Sequence, residues 1–408
     1  MPTLRLYREN QYQRSNTSVI TDITEKQGCD VITTAESVFY PEGGGQPSDT
    51  GSVSLNGQVF SVTHASDRGL WSDVWHQTDA PAGTFSVGDE VTLTIDWDRR
   101  FMNMQRHLGE HMLSGTMHTL FGGVNKGFHM GDDYISIDID LGGRMLTAEE
   151  LELAERTVND AVWADLPVTV TWFDDYEASR IMPVRKSVPH DGKVSVVTVG
   201  DISDPYDCIA CCGTHPSSSS EVGLVALYKC DPNKGMNRIF FDCGKSAFNR
   251  LSSDSHLLAE ISKRYSCSTH DLMNRLDQEA ESISTMKARI AALSSYVRDA
   301  EKSTILAQIS EAGSPVFSYT TDILSVDELL KLGFSVISET EGKVILLLHP
   351  QTKTCLLFSS GEVKCGKLVK ENAAQFNGRG GGRDDNARAV FTSQHDLKSF
   401  ANAVSEMI

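Results

Sequence analysis

Two histidines four residues apart, and a knot of thiols about a hundred residues later, are the groups in this chain best suited to chemistry. His107-Leu-Gly-Glu-His111 falls in a stretch with helical apolar spacing, Phe101 to Leu120, so both imidazoles project from one helix face within reach of a single ion. Cys208-Ile-Ala-Cys-Cys-Gly-Thr-His215 offers a soft thiolate and an imidazole, Cys211 and His215, from a glycine-containing turn. One thiolate and three imidazoles suit Zn²⁺ better than Mg²⁺ or Ca²⁺. The expectation is one zinc per chain on His107, His111, Cys211 and His215, with Cys208 and Cys212 as alternative thiols. A Cys208-x-x-Cys211 redox pair is the competing reading, disfavoured by the missing βαβ pattern around it. A purely structural zinc stays open, because four protein ligands close a tetrahedral site. A His-Glu-x-x-His protease is excluded by order: Glu110 directly precedes the second histidine and projects about a hundred degrees away from it around the helix.

These groups must be positioned by a large scaffold. The 408 residues are 40% hydrophobic, enough for several independent cores. Nine cysteines, an odd number with three crowded together, fit reduced thiols and metal binding better than a disulfide framework. The formal charge of −18 argues against an indiscriminate nucleic-acid coat, so any RNA binding must use local basic patches. No apolar run is long enough to cross a bilayer, and the first residues lack a signal-peptide core; the expected location is cytoplasmic, with no membrane partner.

The pattern along the chain predicts an α+β multidomain protein. Residues 1–95 alternate short strand-like runs, such as Ser52-Val-Ser-Leu and Val91-Thr-Leu-Thr-Ile, with Gly, Pro and Asp punctuation, as in a small β-barrel. Residues 96–245 mix helices with strands at Val168-Thr-Val-Thr-Trp, Val194-Ser-Val-Val-Thr-Val and Arg238-Ile-Phe-Phe; Thr147 and Glu150 have capping-box spacing. From 246 to 312 there is neither Gly nor Pro, and Leu276, Ile283, Met286, Ile290, Leu293 and Val297 keep three-and-four spacing apart from one gap. That predicts one or two long helices, either an internal hairpin or a dimerising coiled coil. Residues 313–408 read as a small α/β domain with a glycine-rich turn and a terminal helix.

Four ordered blocks resemble the AlaX-type alanyl-tRNA editing proteins of the long form, which are similar to the editing and C-terminal domains of alanyl-tRNA synthetase. They are Phe39-Tyr-Pro-Glu-Gly-Gly-Gly-Gln-Pro-Ser-Asp-Thr-Gly51, Asp96-Trp-Asp-Arg-Arg-Phe-Met-Asn-Met-Gln-Arg-His-Leu-Gly-Glu-His111, Cys211-Cys-Gly-Thr-His215 and Gly378-Arg-Gly-Gly-Gly-Arg-Asp-Asp-Asn-Ala-Arg388. The resemblance implies zinc on the four residues already named, in a cleft that hydrolyses the ester joining serine or glycine to alanine tRNA. Gly43, Gly44 and Gly45 would line that cleft, where missing Cβ atoms let backbone approach a ligand. Gln46 would supply an amide near the substrate, Ser37 a hydroxyl that reads the serine side chain in place of the family's Thr, and His129 a further cleft residue. Arg99 and Arg100, in the second block, are expected to contact tRNA.

In the family the last block belongs to a domain shared with DHH phosphodiesterases that contributes to RNA binding and dimerisation. Here residues 363–388 hold six Lys or Arg against three acids. Gly380 and Gly381 are expected to offer backbone amides to a phosphate that Arg379 and Arg383 neutralise. The implied partners are mischarged alanine tRNA and a second copy of the chain, paired through the helices and the C-terminal domain. The alternatives are a phosphodiesterase, disfavoured because no Asp-His-His triplet occurs, and a zinc-stabilised tRNA-binding adaptor without turnover.

Overall fold

The computed structural model describes residues 2–67, 72–131, 134–185 and 192–408. It forms two compact units, residues 1–260 and 261–408.

Besides a short parallel pair of Leu4–Arg5 with Glu36–Ser37, the first part of the first unit has six strands, β1 (Ser15–Lys26), β2 (Cys29–Thr34), β3 (Gly51–Leu55), β4 (Gln58–Ser66), β5 (Trp75–Pro81) and β6 (Glu90–Ile95). They close into a barrel in the order β1-β2-β5-β4-β3-β6, all neighbours antiparallel, so no strand edge of the barrel is left unpaired. Inward-facing residues such as Ile32, Val53, Val62 and Leu93 fill it, following the period of two that the sequence shows.

Helix α1 (Trp97–Phe121) follows at once. The Asp96 side chain caps its start by accepting from the Arg99 amide, and Gly122, in the left-handed region at φ 68°, ends it. Arg100 and Asp49 are both fully buried. The Arg100 guanidinium bonds the Asp49 carboxylate and donates to the carbonyls of Val38 (2.7 Å) and Gln11 (2.9 Å), while Asp49 accepts from the Tyr40 amide at 2.7 Å. This pair fastens α1 to the segment that carries the glycine-rich block. The sequence-based role of Arg100 as a tRNA contact is thereby corrected: a guanidinium with every face used inside the protein has nothing left for a phosphate.

Strands β7 (Val124–Met130) and β8 (Ile135–Asp140), helix α2 (Ala148–Trp163), strands β9 (Val168–Phe173), β10 (Val194–Asp201) and β11 (Asp204–Ala210), and strands β12 (Val225–Asn233) and β13 (Met236–Cys243) complete the unit's sheets. The sheet β12-β13-β8-β7 and the sheet β9-β10-β11 enclose α1 together with α2. Leu108, Met112, Leu113 and Met117 of α1 pack on Ile137, Ile239, Phe241, Val158 and Val162; each such side chain contributes about 1.5–3 kcal/mol by leaving water. Thr147 and Glu150 form the reciprocal capping box at the start of α2.

Residues 244–312 form two helices, α3 (Gly244–Tyr265) and α4 (Leu272–Ala312), interrupted where Ser266 takes φ 53°. The second unit adds β14 (Val316–Thr320), α5 (Val326–Ile337), β15 (Val344–His349), β16 (Thr354–Ser359), α6 (Cys365–Asn372), β17 (Gly378–Gly382), β18 (Asn386–Phe391) and α7 (Gln394–Met407) in one five-stranded sheet ordered β14-β15-β16-β18-β17. The glycine-rich block is therefore an edge strand and not the predicted turn. A Cβ on Gly380 would lie 2.2 Å from the Arg388 carbonyl, and one on Gly382 2.3 Å from that of Asn386, so close strand packing explains these glycines. Amides in an extended strand alternate in direction and do not converge on one phosphate, which corrects the cradle expected of Gly380 and Gly381. Arg379 and Arg383 are exposed at this edge. Among the described residues no helix is long and apolar enough to cross a membrane.

Candidate metal and substrate site

Helix α1 presents His107 and His111 one turn apart, their rings 4.8 Å from centre to centre. The turn after β11 brings Cys211 and His215 against them, anchored where the Cys211 amide donates to the Ser195 carbonyl of β10. His107 Nε2 lies 3.3 Å from Cys211 Sγ, His215 Nε2 lies 3.6 Å from the same sulfur, and the Nε2 atoms of His111 and His215 are 3.1 Å apart. Four ligands at ordinary zinc distances sit at tetrahedron corners about 3.3 Å apart for two nitrogens and about 3.6 Å for nitrogen and sulfur. The three separations match those corners, all four donor atoms lie within 4.8 Å of one another, and the donor set can bind a metal.

The electrostatics agree. Burial alone raises the Cys211 thiol, but the imidazoles of His107, His111 and His215 outweigh it and hold it well below the usual thiol range. Burial raises Cys212, with the Cys211 charge beside it, to about 11. Burial also raises Cys208, whose sulfur packs on Thr198 inside the sheet. Of the three clustered thiols only Cys211 is both aimed at the histidines and held as a thiolate.

Two of the three rings are also held from behind. Gln46 Oε1 is 2.8 Å from His107 Nδ1 and accepts from the Thr214 amide at 3.0 Å, while its Nε2 donates to Thr214 Oγ at 2.8 Å. Gln46 is fully buried and its amide is spent, so it is a positioning residue and not the substrate contact expected from the sequence. The Glu110 carboxylate lies 2.9 Å from His111 Nδ1 and accepts from Ser114 and Asn125. Burial would raise Glu110, but the adjacent His111 overrides it and brings it to about 2. Sequence reasoning dismissed Glu110 because consecutive helical residues diverge at Cβ; its longer side chain bends back to the neighbouring ring. Gly213 was passed over too, yet a Cβ there would meet His107 Cε1 at 2.2 Å.

The glycine-rich block folds as a two-residue hairpin turn in which Gly43 and Gln46 exchange backbone hydrogen bonds. Gly44 (φ 59°) and Gly45 (φ 81°) both need the left-handed region, and a Cβ on Gly45 would strike Phe128 at 2.9 Å. Gly44, with His107, His111 and Cys211 of the cluster, Asn125, Phe128, Trp172 and Lys193, walls a cavity of about 420 Å³.

Two other sequence-based assignments change. Ser37 Oγ is fully buried, lies 2.8 Å from His76 Nε2 and accepts from the Phe39 amide, so its hydroxyl serves the barrel wall and not the cavity. His129 follows Phe128 on β7 and therefore points to the opposite face. With Arg99, whose Nε donates to the Ser48 carbonyl, it lines a cavity of about 710 Å³ that shares Phe128 with the first. Phe128, its ring 5.7 Å from that of His107, is the residue facing the cluster.

Three family models match separate parts of the chain. Residues 9–99 match the model for class II (A) tRNA synthetases, 194–240 that for the threonyl and alanyl tRNA synthetase second additional domain, and 321–408 that for the DHHA1 domain. The chain is similar to the alanyl-tRNA editing protein AlaX-L of Pyrococcus horikoshii, at 25% identity over 94% of this chain and 93% of that one. It is 31% identical to the alanyl-tRNA editing protein Aarsd1 of Mus musculus over 49% of this chain and 45% of that protein. Against the alanine–tRNA ligase of Caldivirga maquilingensis the identity is 27% over all of this chain, which spans 44% of that longer protein.

Proposed function

We propose that this chain is a trans-editing deacylase that hydrolyses the ester bond of alanine tRNA mischarged with serine or glycine, with one zinc ion held by His107, His111, Cys211 and His215. The observation that carries this reading is the convergence of those four donors, three of which (His107, His111 and Cys211) line a 420 Å³ cavity together with Gly44 of the glycine-rich turn.

Zinc bound there would supply a fixed positive charge and Lewis acidity to orient and polarise the aminoacyl ester. The chain's own contribution is positional. Gln46 and Glu110 hold two imidazoles with Nδ1 engaged and Nε2 turned inward, which fixes ring orientation and basicity. The bare backbone at Gly44 and the ring of Phe128 shape the wall beside them and keep bulk water from the reacting ester. With four protein donors already supplied, the reading favours a positioning role for the ion. The exposed Arg379 on β17 and Arg383 just after it supply cations for the body of the tRNA, and the apolar stripe of α4 supplies the contact of a homodimer.

The test is release of labelled serine from Ser-tRNA(Ala), beside Gly-tRNA(Ala), Ala-tRNA(Ala) and Ser-tRNA(Ser), by wild type and the His107→Ala/His111→Ala variant. Hydrolysis of one or both mischarged alanine tRNAs, lost in the variant and sparing correctly charged tRNA, supports the reading. No release by folded, zinc-loaded protein overturns it in favour of a tRNA-binding adaptor.

A further inference from the structure

The 420 Å³ cavity does not end at the metal-type cluster. Trp172 and Lys193 line it and also line a second cavity of about 900 Å³ whose wall includes Arg5, Arg8, Glu9 and Glu36, so the two meet at these two side chains. Trp172 pairs across the sheet with Ser195, itself on the inner cavity wall, which fixes the indole at the junction. The Arg8 guanidinium lies 5.0 Å over the indole ring. Lys193 Nζ is 3.9 Å from Asp174, in a pair with side chains 54% and 93% exposed, where an ion pair contributes little.

An indole with a guanidinium stacked on it and an ammonium alongside is the combination that binds unpaired nucleotides: bases stack on aromatic or guanidinium planes and phosphates meet the cations. It stands out in a chain of formal charge −18. We infer that Trp172, Arg8 and Lys193 form a subsite for the single-stranded nucleotides that precede the 3′-terminal one, leading the RNA tail from the outer cavity to the cluster. The inference rests on the deacylase reading, and adds to it that the enzyme holds more than the aminoacylated terminal nucleoside.

Two substrates separate the two ideas: serine esterified to adenosine alone, and a seryl minihelix RNA with an unpaired 3′ tail. The measurement is the ratio of kcat/KM for minihelix to that for seryl-adenosine. Trp172→Ala and Arg8→Gln should each lower this ratio about tenfold, mostly through KM for the minihelix, on the scale of one lost base stack. Trp172→Phe, which keeps an aromatic face, should restore most of it and controls for folding. An unchanged ratio in Trp172→Ala, whether neither activity falls or both fall together, overturns the subsite while leaving the deacylase reading intact. A wild-type protein inactive on both substrates overturns the deacylase reading and the subsite with it.

Discussion

Gln46 Oε1 and His107 Nδ1 lie 2.8 Å apart across the interface between the hairpin turn and α1, and this contact joins the glycine-rich block to the metal-type cluster. The Gln46 carbonyl oxygen accepts from His107 Nδ1, which leaves Nε2 turned toward the cluster. Removing such an outer partner typically costs 10–100-fold in metal affinity or activity. Gln46→Ala is therefore expected to lose zinc to a chelator at about tenfold lower chelator concentration and to deacylate at least tenfold more slowly. Wild-type behaviour in both assays would mean that packing alone orients His107.

The thiol assignment separates two neighbours. Cys211 faces three imidazoles, whereas Cys212 lies against the Gly44 backbone and is raised to about 11, with burial the leading cause. Metal analysis of purified protein should give well under one zinc per chain for Cys211→Ala and close to one for Cys212→Ala. Full zinc in Cys211→Ala would move the ligand to Cys212 or Cys208.

Arg100 serves stability. Truncating one partner of a buried ion pair leaves the other charge uncompensated, at a typical cost of about 3–5 kcal/mol. Arg100→Leu should lower the unfolding free energy from denaturant titration by that amount, and Arg100→Met/Asp49→Leu should recover much of it. A variant with unchanged stability and a raised KM for tRNA would restore Arg100 as an RNA contact.

The sequence made the elements and the ligands legible because both are written in short spacings. The four-residue interval of His107 and His111 needs only a helix, and the alternating runs before residue 95 need only a barrel. What stayed hidden is set by contacts between distant segments. Gln46 is spent on Thr214, 168 residues away, and Ser37 on His76, so a polar residue beside a motif was read as a substrate contact when its partner lay inside the fold. Gly378–Gly382 was read as a turn because glycine is common in turns; only the pairing of β17 with β18 shows that the glycines allow close packing.

His76 gives the barrel an acid-sensitive point. Burial lowers its pKa from 6.5 to about 4; the neutral ring donates from Nδ1 to the Ile32 carbonyl and accepts from Ser37 at Nε2. The unfolded chain binds this proton below pH 6.5 while the folded chain does not, so its stability is fully present above 6.5 and declines as pH falls to about 4. The decline amounts to about 3 kcal/mol. Unfolding followed from pH 7 to pH 4 should show a shallower loss in His76→Gln than in wild type; equal slopes would assign the acid sensitivity to other groups.

The α4 stripe tests assembly. Ile283, Met286, Ile290 and Leu293 repeat at intervals of three and four and are 43%, 53%, 63% and 55% exposed, whereas Val297, one step further along the same seam, packs against the core that α4 shares with α5. A seam that is buried at one end and left apolar in water over the three turns before it is the pattern of a helix awaiting a partner, and a second copy of the same seam is self-complementary about a two-fold axis. Light scattering at micromolar concentration should give twice the chain mass for wild type and the chain mass for Met286→Ser/Ile290→Ser, with α4 helicity reduced in the variant. A wild-type chain that stays monomeric at that concentration would remove the homodimer from the proposal and leave the stripe to another partner.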